Sequence, residues 1–526
     1  MLIFFTKFYN FFFLIITFFY NLFPKKARPI LLLLVSLVFF YLMSSKLIIC
    51  LFSTITSIYL STILMGKLDE KKNELLDGKS SEEKKQIKKI YNRKKKIVLI
   101  ACILLNFSFL FLFKYLKFFT INSNHLLNLL NINYQFSVLK IIAPIGISFY
   151  TLQALSYLFD VYYGKISADK NYLRVALFIS FFPQIVEGPM ARYSDTAEDL
   201  YKGNDITYAN FTSGMQRILW GLFKKMIIAD RLNILVKMVF SGYAIYSGPI
   251  CFIGALGYTI MLYMNFSSTM DIVIGIGEIL GVKIPENFRQ PFFSKSISEF
   301  WTRWHISLGL WFRDYIYYPI SLSKTMKKLT INSRKIVGNY FGPLISGTIA
   351  LFAVWSLNGL WHGAGWTFIM FGMYHFVMIF TGNLFEPLIR KTFVKFNLDR
   401  ENIYYRIFRS IKTSFLVIIG ELIFRAPSVK VALVMLKKVF TDFNIKISEM
   451  SSLGLDILDY IILFVALVLV LIVGILREKN ISIRQEIGKM NIIVRWAIFY
   501  IMIFVILIFG AYGIGYQPVG PMYADF

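Results

Sequence analysis

Two of the four histidines in this chain stand in surroundings that suggest proton-transfer chemistry. His305 follows Trp304 in an aromatic run, and His362 lies in the run from Asn358 to Trp366, which contains three glycines. A neutral imidazole can take up a proton near neutral pH. An ionisable side chain in an apolar segment is a functional candidate because it is costly to bury there. We therefore predict that His305 and His362 are functional and that the glycines let a substrate reach His362.

The other two histidines carry weaker signals. His375 lies in the apolar stretch 368–380, where a histidine is usually a core residue with satisfied hydrogen bonds. His125 lies in the uncharged segment 118–139, which is predicted to face outside, and the sequence indicates no partner for it. We therefore interpret His375 as structural and assign no role to His125.

A helix that begins at Ser296 is predicted to carry His305. Ser296 and Glu299 have the spacing of a capping box, which satisfies backbone N–H groups at a helix N-terminus. Glu299 and Arg303 are four residues apart, so they can form an ion pair on one helix face. The pattern predicts a continuous helix with His305 in its third turn.

A further ionisable pair lies in the run 181–193, which two prolines interrupt. Proline breaks helices, and Gly188 permits close backbone approach, so the run predicts a tight turn between apolar segments. Such a turn could present Glu187 to a cavity beside Arg192. Alternatively, these two side chains could only satisfy each other.

The composition places all these residues in a membrane. Of the 526 residues 57% are hydrophobic and 17% are charged, which excludes a set of soluble domains. Continuously apolar runs are long enough to cross a hydrocarbon core of about 30 Å and lack the alternation of barrel strands. We predict an all-α polytopic protein of the cell membrane, a multi-helix bundle with re-entrant or broken helices.

The excess of positive charge indicates a membrane partner and no nucleic acid. The chain has 57 Lys and Arg against 30 Asp and Glu, a formal charge of +27, but the cations cluster in short segments between apolar runs. This is the distribution of cytoplasmic loops that meet anionic lipid. The strongly charged stretch 67–96 is therefore predicted as a cytoplasmic loop, which could be simply solvated, dock a partner or bind lipid.

Broken apolar segments mark the predicted functional core. Residues 1–139 are interpreted as N-terminal membrane helices, including a retained helix in 1–23, and 386–526 as C-terminal membrane helices. Between them, in 140–385, apolar stretches are short and interrupted by Gly, Pro and ionisable residues. Irregular backbone at membrane depth must line a cavity or be packed in protein, so we place the catalytic core in 140–385.

Several motifs of this core resemble the membrane-bound O-acyltransferase family, and the bacterial alginate O-acetyltransferase branch is the most similar. The resemblance covers about residues 140–385 and includes Phe149 to Gly164 and the Glu187-Gly188-Pro189 turn. The motifs that carry it most specifically are Phe288-Arg289-Gln290-Pro291, Trp304-His305-Ile306-Ser307-Leu308 and Gly359-Leu360-Trp361-His362-Gly363.

The resemblance implies that the multi-helix bundle surrounds a transmembrane tunnel. It also implies transfer of an acyl group, acetyl in that branch, from a cytoplasmic thioester donor to a hydroxyl outside. Acetyl-CoA is the donor expected from the family, and the acceptor is expected to be an envelope polysaccharide or an extracytoplasmic acetyltransferase-like partner protein. A thioester is already activated, so the reaction needs a base, oxyanion donors and exclusion of water, with no bound cofactor or metal. The resemblance implies that His362 is the base.

The role of His305 stays open among three possibilities: it could orient the acceptor, polarise the thioester carbonyl or share the proton transfer. We also predict that substrate is contacted by Trp304, Asn358, Glu187 and Arg192.

Two alternatives to acetyl transfer remain open on the sequence alone. One is D-alanyl transfer from a carrier protein to teichoic acid, by a relative with a similar pair of histidines. The other is a proton-coupled transporter in which His305 and His362 form a relay, although a pump is expected to place several carboxylates in its spans.

The three cysteines, Cys50, Cys102 and Cys251, lie isolated in apolar surroundings and are interpreted as buried thiols.

Overall fold

The fold is given by a computed structural model, which describes residues 17–139, 141–444, 447–512 and 516–520. These residues form helices and contain no strand; a single isolated antiparallel bridge joins Phe288 to Trp304. Most of the predicted N-terminal helix in 1–23 lies outside the described residues; within the described part, residues 17–19 are α-helical and the short 3₁₀ helix Tyr20–Leu22 follows them. The predicted all-α class is confirmed.

The chain divides into two compact units. Of the described residues, the first unit contains those up to Gly214 and Ile276–Pro285, and the second contains Met215–Gly275 and those from Glu286 onward. The helices of the first unit are α1 (Arg28–Ser44), α2 (Ile48–Leu76), α3 (Ser81–Leu110), α4 (Leu116–Leu129), α5 (Ile147–Tyr162), α6 (Tyr172–Ser180) and α7 (Tyr193–Lys202).

Two helices, α8 (Tyr208–Phe223) and α10 (Gly248–Ile279), run from one unit into the other, with α9 (Asp230–Ser241) between them. The remaining helices of the second unit are α11 (Ile297–Arg303), α12 (Ile306–Phe312), α13 (Tyr318–Ser321), α14 (Lys324–His362), α15 (Trp366–Lys395), α16 (Ile403–Arg425), α17 (Val429–Thr441), α18 (Ile447–Ser451), α19 (Ile457–Glu478), α20 (Ile483–Lys489) and α21 (Ile492–Phe509).

Seven helical segments of the described residues are long and apolar enough to cross a bilayer. Each contains an apolar stretch of sufficient length, and a helix satisfies its own backbone groups, as lipid requires. The segments are Arg28–Leu76, Ser81–Leu129, Gly248–Ile279, Lys324–His362, Trp366–Lys395, Ile457–Glu478 and Ile492–Phe509.

The charged stretch 67–96 is helical except at residues 77–80, so its prediction as a loop is wrong in secondary structure, while its cytoplasmic location stays a prediction. Helix α2 continues to Leu76, and α3 begins at Ser81 with a complete capping box between Ser80 and Glu83. The ammonium group of Lys95, buried on α3, pairs with the carboxylate of Asp69 on α2. A solvated helix that carries charge on most faces has no clear apolar stripe. For this reason the sequence pattern was mistaken for that of a loop.

The run 181–193 forms the tight turn that its prolines predicted. Gln184 donates from Nε2 to the carbonyl oxygen of Pro189 at 3.0 Å, and Glu187 is buried. Gly146, at φ +68° before α5, faces this turn, and a Cβ atom there would overlap the carbonyl of Ile185. Close backbone approach therefore requires glycine at this position in the first unit.

Candidate functional site

His305 lies in a break between two short helices, which corrects the prediction of one continuous helix. Ser296 does cap α11, since its hydroxyl accepts a hydrogen bond from the backbone N–H of Glu299 at 3.1 Å. The helix ends at Arg303, however, and His305 adopts a left-handed conformation with φ +47° before α12 begins. This conformation is uncommon outside glycine and must be held by its surroundings.

The segment 287–289 supplies that support by pairing with the break. The backbone N–H of Arg289 donates to the carbonyl oxygen of Arg303 at 2.9 Å, and that of Ile306 donates to Asn287 at 3.0 Å. The predicted ion pair is present, with Nη2 of Arg303 lying 2.8 Å from Oε1 of Glu299, and it stabilises α11. Local hydrogen bonds thus fix the orientation of His305, which is 3% exposed.

The side chain of Asn287 contacts His305 directly. Its Oδ1 lies 3.3 Å from Nδ1 of His305 and accepts hydrogen bonds from the backbone N–H and the hydroxyl of Ser307 at 3.0 and 2.9 Å. Asn287 is fully buried. The ring of His305 also meets the faces or edges of Phe266 and Trp361, with centroids 4.9 and 5.8 Å away.

One face of α14 brings His362 to the same region. His362 is the last residue of the helix, and Asn358 lies one turn before it on the same face. The rings of Phe371 and Phe424 contact the imidazole at centroid distances of 5.8 and 5.2 Å. His362 is therefore held between aromatic rings at a helix end.

A cavity of about 460 Å³ joins these residues within the second unit. Both histidines line it, together with Trp304 and Asn358. Its other walls are mainly aromatic and aliphatic, from Trp301, Ile306, Leu308, Leu310, Phe312, Leu351, Val354, Trp355 and Ile379, and its remaining lining residues are Ser298, Thr302, Gly309, Arg313 and Tyr317. His305 and His362 thus converge on one cavity, and this cavity is largely apolar.

The glycines around His362 serve helix packing, and their predicted role in letting a substrate reach His362 stays a prediction. A Cβ atom at Gly359 would lie 2.6 Å from the carbonyl oxygen of Phe368, and one at Gly363 would overlap the Phe368 ring. On the facing helix, a Cβ atom at Gly372 would lie 2.5 Å from the carbonyl oxygen of Trp355. Glycine lets α14 and α15 approach closely, which places His362 at its position.

His375 supports the cavity wall from behind as a core residue, but its hydrogen bonds are only partly satisfied, because Nε2 is buried without a partner among the described residues. It is fully buried, and its Nδ1 accepts a hydrogen bond from Nε1 of Trp301 at 3.3 Å. Its ring also stacks on Trp355, with centroids 5.3 Å apart. His375 therefore orients two of the tryptophans that line the cavity, although it does not line the cavity itself.

The predicted substrate-contacting residues divide between the two units. Trp304 and Asn358 line the cavity of the second unit, where Trp304 also stacks on Phe300 at 5.4 Å. Glu187 and Arg192 belong to the first unit, and their contact with substrate stays a prediction. No cluster of three metal-ligating side chains occurs among the described residues.

Sequence reasoning missed Asn287 as a functional residue. Its importance depends on its contact with His305, which lies 18 positions further along the chain. A buried asparagine needs hydrogen-bond partners, so an Asn beside an aromatic motif was a usable signal. Its partner, however, could not be identified from the sequence.

Comparison with known proteins decides the family. The profile of the MBOAT, membrane-bound O-acyltransferase family, matches residues 102–337. A probable alginate O-acetylase of Azotobacter vinelandii is 34% identical over 363 residues, which are 69% of this chain and 66% of that protein. The chain belongs to the membrane-bound O-acyltransferase family.

Two other relatives have names that give different acceptors. A peptidoglycan O-acetyltransferase of Helicobacter pylori is 31% identical over 57% of this chain and 58% of its own length. A teichoic acid D-alanyltransferase of Bacillus subtilis is 33% identical over 48% of this chain and 62% of its own length. The chain thus spans about two thirds or less of these curated relatives. Its membership also confirms a multi-pass membrane protein.

Proposed function

We propose that this chain is an O-acyltransferase that moves an acyl group from a thioester donor to a hydroxyl of a cell-envelope acceptor. The observation that carries the proposal is the cavity in which His305, His362 and Asn358 meet, in a chain of the membrane-bound O-acyltransferase family. Acetyl is the proposed acyl group, because the relatives that match over the longest stretches are named as O-acetylases.

The proposed chemistry begins with His362 as general base. It takes the proton of the acceptor hydroxyl while the hydroxyl oxygen attacks the thioester carbonyl carbon. The carbon–sulfur bond then breaks, and the departing thiolate receives the proton from the imidazolium. The products are an ester and a free thiol, so protons and electrons balance without a redox partner or a covalent intermediate.

The apolar walls contribute by excluding water. A cavity of about 460 Å³ falls in the range of about 300–1,000 Å³ that holds small ligands. Water in such a site would compete with the acceptor and hydrolyse the thioester. Asn358 and Trp304 are proposed to hold the substrate there, with the Asn358 amide offering both a hydrogen-bond donor and an acceptor.

We propose acetyl-CoA on the cytoplasmic side as donor, and an envelope polysaccharide or an extracytoplasmic acetyltransferase-like protein as acceptor. D-alanyl transfer to teichoic acid is the second candidate, and the 33% identity to the B. subtilis enzyme is the observation that favours it. Transport has less support, because the relatives named above are transferases.

Purified protein in lipid nanodiscs separates these possibilities. Radiolabelled acetyl-CoA and radiolabelled D-alanyl carrier protein are supplied in separate reactions, each with polysaccharide, peptidoglycan, teichoic acid or a partner protein as acceptor. Label should move from acetyl-CoA to a hydroxyl, as an ester that mild base releases. Transfer from the carrier protein alone would establish the second candidate, and failure with every donor would contradict acyl transfer.

The cysteines provide a test of direct transfer. Cys50, Cys102 and Cys251 are buried, and none of them lines the cavity. Replacing all three with alanine should leave the turnover number close to that of the unchanged protein, with only modest packing losses, since no thiol is needed as nucleophile. Mass spectrometry of protein quenched during turnover checks this expectation. An acyl group on any of the three sulfurs would overturn the direct mechanism.

A further inference from the structure

The orientation of the Asn287 amide is fixed by the backbone. The N–H of Ser307 can only donate, and it points at Oδ1 of Asn287 from 3.0 Å. The atom at that position must therefore be the amide oxygen and not the nitrogen. The other end of the amide agrees, because Nδ2 lies 3.1 Å from Sδ of Met270, which can accept a weak hydrogen bond.

This orientation determines the tautomer of His305. Nδ1 of His305 faces the same oxygen at 3.3 Å, and an oxygen that already accepts from Ser307 attracts Nδ1 only if that nitrogen carries a proton. A neutral imidazole has one N–H and one lone pair, so a proton on Nδ1 leaves the lone pair on Nε2. His305 lines the cavity, so this choice of tautomer sets what it can offer a substrate.

We propose that Asn287 is a positioning residue that holds neutral His305 with its proton on Nδ1, so that Nε2 acts as a hydrogen-bond or proton acceptor. This inference rests on the proposed acyl transfer and deepens it. Polarising the thioester carbonyl would require an N–H on Nε2, so this role is excluded for neutral His305. His305 instead serves the acceptor, which it orients by accepting a hydrogen bond or whose proton it shares with His362.

The surroundings make this arrangement hard to replace. Asn287 is fully buried, and its carbonyl also accepts from the backbone N–H of Ile306, so the residue holds both the His305 side chain and its left-handed backbone. The rings beside His305 are Phe266 and Trp361, which offer no charge. The titratable side chains that share the cavity are His362, Arg313 and Tyr317.

The tautomer can be observed without turnover. Protein labelled with ¹⁵N in its histidine rings is studied by NMR in nanodiscs, and the His305 signals are those that disappear in His305→Gln. We expect Nδ1 to appear protonated and Nε2 unprotonated at a pH where the ring is neutral. A proton on Nε2 would overturn the inference even if acyl transfer were established, and the spectrum remains decisive if no transfer is found.

Two substitutions connect the tautomer to activity. Asn287→Leu removes the acceptor at similar volume, and we expect a loss of about 10- to 100-fold in kcat, as for other histidines that lose an orienting partner. Asn287→Asp keeps an acceptor, so it should retain the Nδ1–H tautomer and more activity than Asn287→Leu. Its carboxylate would stabilise the imidazolium, so the acid limb of the kcat/KM profile should move to higher pH.

The exposed Asn92 on α3 provides the matched controls Asn92→Leu and Asn92→Asp, neither of which should alter the rate or the pH profile. If Asn287→Leu does not fold, the Asn287→Asp profile and the NMR spectrum still decide the question. Equal activity of folded Asn287→Leu and unchanged protein, or an unshifted acid limb in Asn287→Asp, would contradict the positioning role.

Discussion

Replacing His362 with glutamine is expected to lower acyl transfer by about 10²- to 10⁴-fold, the usual contribution of a general base. Glutamine retains hydrogen bonding and most of the volume of histidine, but it cannot take up a proton near neutral pH. His362 packs between Phe371 and Phe424 at the end of α14, so the variant should insert and fold nearly normally. Initial rates with labelled donor, normalised to folded protein, measure the effect.

His125→Gln is the control for that experiment. His125 lies exposed on α4 in the first unit and does not line the cavity, so this variant should transfer at the rate of the unchanged protein. Size-exclusion profiles of both variants establish that the protein is folded. A folded His362→Gln protein with activity near that of the unchanged chain would remove the proposed base.

The second large effect is expected on the stability of the protein, at the glycines where α14 packs against α15. Gly363→Ala should destabilise the protein, because its methyl group would overlap the Phe368 ring. Overpacking of this kind costs about 1–3 kcal/mol. The substitution Phe368→Leu, in the residue that faces Gly363, makes room at the same contact. In a double-mutant cycle of thermal inactivation midpoints, the combined loss should be smaller than the sum of the two single losses.

Gly359 tests the packing account differently. There an added methyl group would meet the backbone carbonyl of Phe368 at 2.6 Å, which no side-chain substitution can move. Gly359→Ala should therefore be destabilising, and Phe368→Leu should not suppress it. Gly382 on α15 has open space around it, so Gly382→Ala should be neutral or slightly stabilising. Full stability of Gly363→Ala would show that close approach is not needed.

Much of the fold could be predicted because lipid imposes simple rules. Membrane helices were predicted in 386–526, and α19 and α21 in that part of the chain are long and apolar enough to cross a bilayer. The secondary structure of 67–96 was predicted wrongly because its helices carry charge on most faces, so no apolar stripe distinguishes them from a loop. Composition thus predicted the spans better than the charged helices that extend from them.

The site could be predicted only in part. Histidines in aromatic and glycine-rich breaks were recognisable as candidates, and His305 and His362 do share a cavity. The break before His305 was missed because its left-handed backbone depends on Asn287, which is distant in sequence. The packing role of the glycines was missed because it depends on contacts with a neighbouring helix. Contacts between separate segments decide both cases, and local patterns do not record them.

The most direct test of the account is a cryo-electron microscopy structure with a donor analogue in which a methylene group replaces the thioester sulfur. This analogue keeps the carbonyl but cannot transfer its acyl group. We predict density for the acyl end in the cavity of about 460 Å³, between His305 and His362 and in contact with Asn358. Density for the acyl end elsewhere in the protein, with the cavity filled only by its own side chains, would contradict the account.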